Sequence, residues 1–447
     1  MMDIFAAVVV IATFAFIIRG AEVRLALLAA GAVLTLAAWK PEAWFSSFAS
    51  SMVQAGLLTV ILPAIGFTAI IKLARCDEHL VRLVVGPLLT LRAVIIPAAM
   101  VATLVLSTAI TSAAGITAAV GVVLIPAMIA LGIHPAMAAA AVFAGTWGGA
   151  FSPGSPHPAL IGDISKTPVI EVILAHLHAS IPAAIVFAVS LYFVAKLRGE
   201  DHGWTAERAG ATPKSTTEVG AQNAGPISLA RAAMPVLPLF LLVLTVPQFG
   251  LTTTLFPKGL TVLQAMVAGT IVTALVGRLS PTKVVKGFFD GMGEAYAGVI
   301  GIIIAAGVFI GGLNAIGSID RMIDALKGAQ SAAPVVAMLG TFAIAVLSGS
   351  GDAAAIAFNK AVLPHAAALG MTQVDLGNIA WLGGGLGRSM SPVAAACAIA
   401  AGYAGVTVFD VAKRTAVPAI LSAATAWRKQ AEATSWRGST YIDLVES

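Results

Sequence analysis

The sequence predicts an all-α polytopic membrane protein built as an inverted repeat, with five transmembrane spans and one re-entrant hairpin in each half. Three observations predict it. Of 447 residues, 59% are hydrophobic and 11% charged, with a mean hydropathy of +0.95, a composition outside the range of soluble domains. Apolar stretches long enough to cross a bilayer recur along the whole chain. A pair of polar, glycine-rich breaks then occurs twice: LSTAITSAAGIT at 106–117 with GGAFSPGSPHP at 148–158, and LSGSGDAAAIAF at 347–358 with LGGGLGRSMSP at 382–392. Ser107 and Ser348 are 241 positions apart and Ser152 and Ser391 are 239, so one unit is written twice.

In chain order, apolar runs place spans at about 4–18, 23–39 and 52–74, a hairpin at 93–131, a broken helix at 134–162 and a long helix at 168–196. The first run is read as a span rather than a signal sequence, because it carries Asp3 and no basic n-region. Residues 197–231 lack apolar periodicity and read as an exposed linker. The order then repeats, with spans at about 235–249, 258–277 and 288–316, a hairpin at 332–370, a broken helix at 374–405, a last helix at 410–427 and a polar tail at 428–447.

An odd number of crossings per half turns the second copy upside down. This topology puts Arg19, Arg24, Lys72, Arg75, Arg82, Arg92, Lys196, Arg198, Arg208, Lys214, Arg231, Arg278, Lys283, Lys286, Lys413 and Arg414 on one side. The other side receives Lys40, Lys166, Lys258, Arg321, Lys327, Arg428, Lys429 and Arg437. The positive-inside rule makes the richer side cytoplasmic and both termini periplasmic. Cys76 and Cys397, one in each half, support neither a disulfide framework nor a thiolate metal site. The pI of about 9.3 belongs to these loops, and no interleaving of basic and aromatic residues points to nucleic acid.

Irregular backbone at membrane depth is tolerated only where it is buried in protein or lines a water-filled cavity, so four matched breaks mark the binding site of a secondary transporter. Ser152-Pro153 and Ser391-Pro392 each pair an N-cap hydroxyl with proline at the first helical position, and the tips at 107–112 and 348–352 launch return helices. Up to four half-helix N-termini therefore converge if the halves fold together. Each offers unpaired N–H groups and the positive end of a dipole, which suits an anion. Each contributes only about 0.3–2 kcal/mol, against a cost of several kcal/mol for removing a carboxylate from water. Arg388, inside the last break, is the expected bidentate partner for a carboxylate.

Ser107, Thr108, Thr111 and Ser112 at the first tip, and Ser152, Pro153, Gly154 and Ser155 at the first break, supply hydroxyls and unwound backbone to the expected substrate site. Ser348, Gly349, Ser350 and Gly351, with Ser389, Ser391 and Pro392, do so in the second half. Asp352 is expected to exchange a proton or help hold a cation, with Asn359 seven residues on and nearly on the same helical face. Its alternative role is a helix cap or a structural partner of Lys360 or Arg388. His157 is a ligand group or proton carrier, or else a polar residue lining the cavity.

Gly383, Gly385 and Gly387 are not preceded by a strand, so they serve close packing and unwound backbone rather than nucleotide binding. His176 and His178, two apart, do not share a helical face and form no metal pair. Glu294, Asn314 and Asn378 are expected to make interhelical hydrogen bonds. No cofactor and no metal are expected.

The stretch SGSGDAAAIAFNKAVLPHAAALGM at 348–371, taken with GRSMSPVAAACA at 387–398, resembles the DcuC-type anaerobic C4-dicarboxylate carriers of the ion transporter superfamily, and the resemblance runs from residue 1 to about 427. It implies a bacterial inner-membrane carrier of succinate, fumarate or malate working by exchange or proton-linked flux. It also implies a homodimer in which scaffold segments 1–92 and 232–331 hold the partner, while transport segments 93–196 and 332–427 slide as an elevator; the topology read above puts the linker at 197–231 in the cytoplasm, and the tail at 428–447 has no counterpart in the likeness. The partners implied are a small dicarboxylate and membrane lipid. The Ser-Asn-Thr tips of sodium-coupled dicarboxylate relatives are absent, which counts against a sodium mechanism. The rival readings are a sodium/proton antiporter that uses Asp352 and leaves Arg388 structural, or a carrier of another organic anion. An enzyme is not expected, since His157 near Ser152 is the sole hint of an activated nucleophile.

Overall fold

A computed structural model describes residues 2–19, 21–205, 226–245, 259–319, 321 and 333–445, with only the main chain described at 3, 14, 18 and 433–445. Expectations at 206–225, 246–258 and 322–332, including the placement of Arg208, Lys214, Lys258 and Lys327, lie outside the described residues, as does the side chain of Arg437. Every regular element among the described residues is helical.

The first half runs α1 (Met2–Ile18), α2 (Val23–Ala37), α3 (Glu42–Met52), α4 (Ala55–Leu73), α5 (Cys76–Leu88), α6 (Ile95–Leu106), α7 (Ala113–Ala130), α8 (Pro135–Ala144), α9 (Pro156–Ser165) and α10 (Val169–Leu197). The second runs α11 (Leu229–Ala233), α12 (Leu237–Leu244), α13 (Val262–Gly277), α14 (Pro281–Ala295), α15 (Gly301–Ala315), α16 (Ala333–Ser348), α17 (Gly351–Val362), α18 (Gln373–Arg388), α19 (Ala395–Ala404) and α20 (Val408–Val445). Helix α10 has 29 residues, about 44 Å at 1.5 Å per residue, enough to cross the hydrocarbon core with tilt. By contrast, α6 and α17 have 12 residues each, about 18 Å, too short to span, as expected of arms that turn back at the tips at 107–112 and 349–350.

Two helices escape the hydropathy reading. In α3, four serines among the eleven residues dilute the apolar ones, and in α5 the run Cys76, Asp77, Glu78 and His79 does the same. Both are explained by their packing. Ser47 and Ser51 of α3 sit over Gly311 and Gly307 of α15, while Leu80, Val81 and Val85 of α5 enter the largest apolar core. Helices α14 and α15 join through a π turn at Tyr296–Ile300 into one 35-residue rod.

The halves pack reciprocally. Helix α2 lies on α15 and α4 on α13, α3 lies on α15 and α14 on α4, and α10 and α20 pack on each other. By the same sequence offset α13, α14 and α15 correspond to α2, α3 and α4, so the α2–α15 and α3–α15 contacts recur as α13–α4 and α14–α4, while α10 and α20 meet once. The largest core lies almost wholly in 95–195 and 333–426, and smaller cores gather α2, α4 and α15, or α4, α12 and α13. The segment read as a polar tail continues α20, and its Gln430 is fully buried, with Nε2–H donating to Asp375 Oδ1 at 3.0 Å.

Beyond α10, Glu200 accepts from Arg414 Nε and Nη2 at 2.7 and 2.5 Å and from Arg198 Nε at 3.2 Å, with the side chains of Glu200 and Arg414 only 10% and 6% exposed. Burial pushes the Glu200 carboxyl up, but the hydrogen bonds and charges of Arg414 and Arg198 outweigh it and hold the group below its ordinary value.

Candidate functional site: a cavity where four helices begin

A cavity of about 450 Å³ lies between α4 with the end of α14 and the breaks and tips of the two halves, within the roughly 300–1,000 Å³ usual for small-ligand sites. Residues 112–114, 155–156, 349–352 and 394–396 line it, so the first residues of α7, α9, α17 and α19 all meet there. Two of these starts are capped by side chains: Ser112 Oγ accepts from the Gly115 N–H and Ser350 Oγ from the Ala353 N–H, both at 3.1 Å. The starts of α9 and α19 carry no capping side chain, which leaves the first N–H groups of α19 open to an anion, whereas α9, with prolines at 156 and 158, offers only the His157 N–H from its first three residues.

Helix starts at Ser152-Pro153 and Ser391-Pro392 are corrected by the structure. Helices α9 and α19 begin three residues further on. Ser152 Oγ is held by the Gly154 N–H at 3.3 Å, and Ser391 Oγ donates to the Val346 carbonyl at 2.6 Å, so both hydroxyls are engaged in the breaks themselves. In the first break the next pair, Ser155-Pro156, takes the N-cap and first helical positions.

Arg388, at the end of α18, lines the cavity and donates from Nη2 to the Thr146 carbonyl at 3.0 Å. Asp352 lines the same cavity with 55% of its side chain exposed, and its Oδ1 shares a 2.8 Å hydrogen bond with His157 Nε2. The His157 ring is fully buried behind Asp352 and stacks on Trp381, with centroids 3.7 Å apart and planes 14° off parallel. Asp352 thus pairs with His157, while Lys360 donates to the Ile303 carbonyl at 2.9 Å.

The expected substrate residues divide. Thr111, Ser112, Gly154, Ser155, Gly349, Ser350, Gly351 and Arg388 line the cavity with Asp352. Ser107, Thr108 and Ser389 do not, because each hydroxyl donates back to its own helix, at Thr103, Val105 and Gly385. Ser348 binds the Ser350 N–H across the tip and faces away, Ser152 and Pro153 border a small separate hollow, and Ser391 and Pro392 are likewise outside the wall. Asn359 is buried between helices, donating to the Gly377 carbonyl at 3.4 Å. Gly383, Gly385 and Gly387 lie in regular helix rather than unwound backbone, and a Cβ on Gly387 would stand 2.9 Å from Phe342 Cα of α16.

Several lining residues carry no motif. Ile65, Thr68, Ala69 and Lys72 form one face of α4, at i, i+3, i+4 and i+7. Glu294 and Gly298 line the wall from the α14 side. Glu294 makes no hydrogen bond among the described residues, unlike Asn378, whose Nδ2–H reaches the Val172 carbonyl at 3.1 Å. The four-residue spacing of Thr68 and Lys72 in an apolar span was the available signal. Trp147 and Trp381 complete the wall, with both indole N–H groups buried and unpartnered.

Residues 38–425 match the C4-dicarboxylate anaerobic carrier family, DcuC. An uncharacterized transporter of Haemophilus influenzae is 38% identical over 271 residues, 61% of this chain and 96% of its own length. The anaerobic C4-dicarboxylate transporter DcuC of Escherichia coli K12 is 26% identical over 374 residues, 81% of this chain and 77% of its own. In fold, the chain is similar to the YdaH transporter of Alcanivorax borkumensis, whose crystal structure revealed an unusual topology, with a TM-score of 0.53 at 16% identity over 89% of this chain and 88% of that one. A match over most of the chain, on an all-helical fold shared with a solved transporter, places this multi-pass membrane protein in the C4-dicarboxylate anaerobic carrier family, DcuC, whose members are transporters and not enzymes.

Proposed function

We propose that the protein is a secondary active carrier of C4-dicarboxylates such as succinate, fumarate and malate, working by exchange or proton-linked flux in the bacterial inner membrane. The observation that carries this reading is the meeting of Arg388 with four helix starts, two of them without capping side chains, on one cavity. Arg388 takes a carboxylate bidentately, Ser112, Ser155 and Ser350 orient it, and Asp352 with His157 forms the proton site. The names of relatives such as the E. coli carrier favour a dicarboxylate over other organic anions.

Reciprocal packing of the halves supports an inverted repeat, and the excess of cationic residues on one side favours periplasmic termini. The concentration of the largest core in 95–195 and 333–426 supports a transport unit that moves as one body, in elevator fashion, against the scaffold segments 1–92 and 232–331. The homodimer implied by the family likeness belongs to the same proposal. A dianion crossing about 100 mV changes energy by roughly 4.6 kcal/mol, twice the single-charge value. With the inside negative, efflux runs downhill, and uptake needs a counter-dianion or at least two cations.

Counterflow in proteoliposomes tests the reading. Labelled succinate should accumulate against internal unlabelled succinate, fumarate or malate. A protein that moves protons against sodium and shows no succinate counterflow is instead a cation antiporter.

A further inference from the structure

A dicarboxylate carries charge at both ends, and the site as described so far offers one cation. Arg388 already gives one N–H to Thr146, and the opposite charge beside it, Asp352, is engaged by His157. Among the described residues, the other cation lining the cavity is Lys72. It continues the face of α4 formed by Ile65, Thr68 and Ala69, so the helix carries its side chain along the cavity wall. No ion pair engages Lys72 among the described residues: Glu294 lines the wall from the adjoining α14, which packs on α4, without a hydrogen bond, and Asp77 acts on Lys72 only from a distance. The cavity therefore has two basic groups on separate packing units, Arg388 on α18 and Lys72 on α4.

We propose that Lys72 is the subsite for the second carboxylate and sets the preference for dicarboxylates over monocarboxylates. The inference rests on the carrier reading above and deepens it. One carboxylate docks on Arg388 and the nearby helix starts. The four-carbon chain then crosses the cavity, and the other carboxylate receives the Lys72 ammonium. A monocarboxylate occupies the Arg388 end and leaves Lys72 hydrated. Lysine suits this place because a compact, hydrated charge on a flexible stem binds a carboxylate without a fixed fork.

The test compares binding of succinate and monomethyl succinate to the full-length purified protein, by displacement of labelled succinate, for wild type, Lys72→Met and Lys72→Arg. Lys72→Met should weaken succinate roughly 10- to 100-fold, the worth of a charge-assisted hydrogen bond, and leave monomethyl succinate essentially unchanged. Lys72→Arg, which keeps the charge, should keep the preference. The inference is overturned if Lys72→Met leaves the ratio of the two affinities unchanged, or if Lys72→Arg loses the preference as fully as methionine does. Wild type that binds neither ligand overturns the carrier reading and this inference together. Wild type that prefers succinate beside an unchanged ratio in Lys72→Met overturns this inference alone.

Discussion

Replacing Arg388 with alanine should remove most of the affinity for succinate. The guanidinium keeps one N–H on the Thr146 carbonyl at 3.0 Å and presents the rest of its fork to the cavity that Asp352 also lines. Truncation deletes charge-assisted hydrogen bonds to the substrate, about 1.5–3 kcal/mol. It also leaves the Asp352 charge facing an incoming carboxylate with no cation beside it. Removing one member of a buried charge pair costs about 2–5 kcal/mol in comparable sites, or roughly 30- to 4,000-fold in Kd at 1.4 kcal/mol per factor of ten.

Thermal shift reads this directly. Succinate at a hundred times the wild-type Kd stabilises by about 2.7 kcal/mol, and the same concentration should give Arg388→Ala no more than about a third of that. Lysine should rescue poorly, lacking the planar fork. The double variant Arg388→Ala/Asp352→Asn should recover part of the loss, because it removes the uncompensated charge. A succinate-induced shift in Arg388→Ala equal to wild type would remove Arg388 from the substrate site.

Three further outcomes follow from the geometry. Asp352→Asn keeps the shape of the acid but cannot titrate, so succinate counterflow should persist while pH-driven net flux falls; binding lost in step with flux would make Asp352 a ligand or a cap instead. Glu200→Gln should destabilise the fold by about 3–5 kcal/mol, the cost of breaking a buried pair, seen as a lower unfolding midpoint. Because the folded Glu200 carboxyl lies below its ordinary 4.5, the stability it adds is present above about that pH and is lost as pH falls through the folded value. The acid-induced drop in midpoint should be smaller in Glu200→Gln, and an identical drop in both proteins counts against the pair. Gly349→Ala should lower both melting temperature and flux: φ is +72° there, costing a side chain about 1–2 kcal/mol, and a Cβ would sit 2.8 Å from the Val393 carbonyl carbon. Unchanged melting and transport would show that the tip has room to relax.

The sequence by itself determined the features that depend on local chemistry. Helix α10 is legible because its apolar run is long and ends where polar residues begin, and the hairpin tips are legible because polar, glycine-rich stretches recur at a constant spacing. That same local character hid α3 and α5, whose polar residues sit in small-residue contacts or at helix ends that only packing supplies. It also put the helix starts at Ser152-Pro153 and Ser391-Pro392, three residues early, although Ser155-Pro156 carries the same N-cap signal. Ser152 Oγ accepts from the Gly154 N–H, and in the second half Ser391 Oγ donates to the Val346 carbonyl, so the earlier hydroxyl is engaged in each break.

Tertiary structure alone decided the pairing in the site. His157 and Asp352 are 195 residues apart and meet because α9 and α17 pack together. Lys72 and Glu294, far from Arg388 in sequence, face the cavity that Arg388 lines. Hydropathy and capping act over one or two turns of helix, whereas the charge around a bound dianion is set by which helix faces the fold turns toward one another.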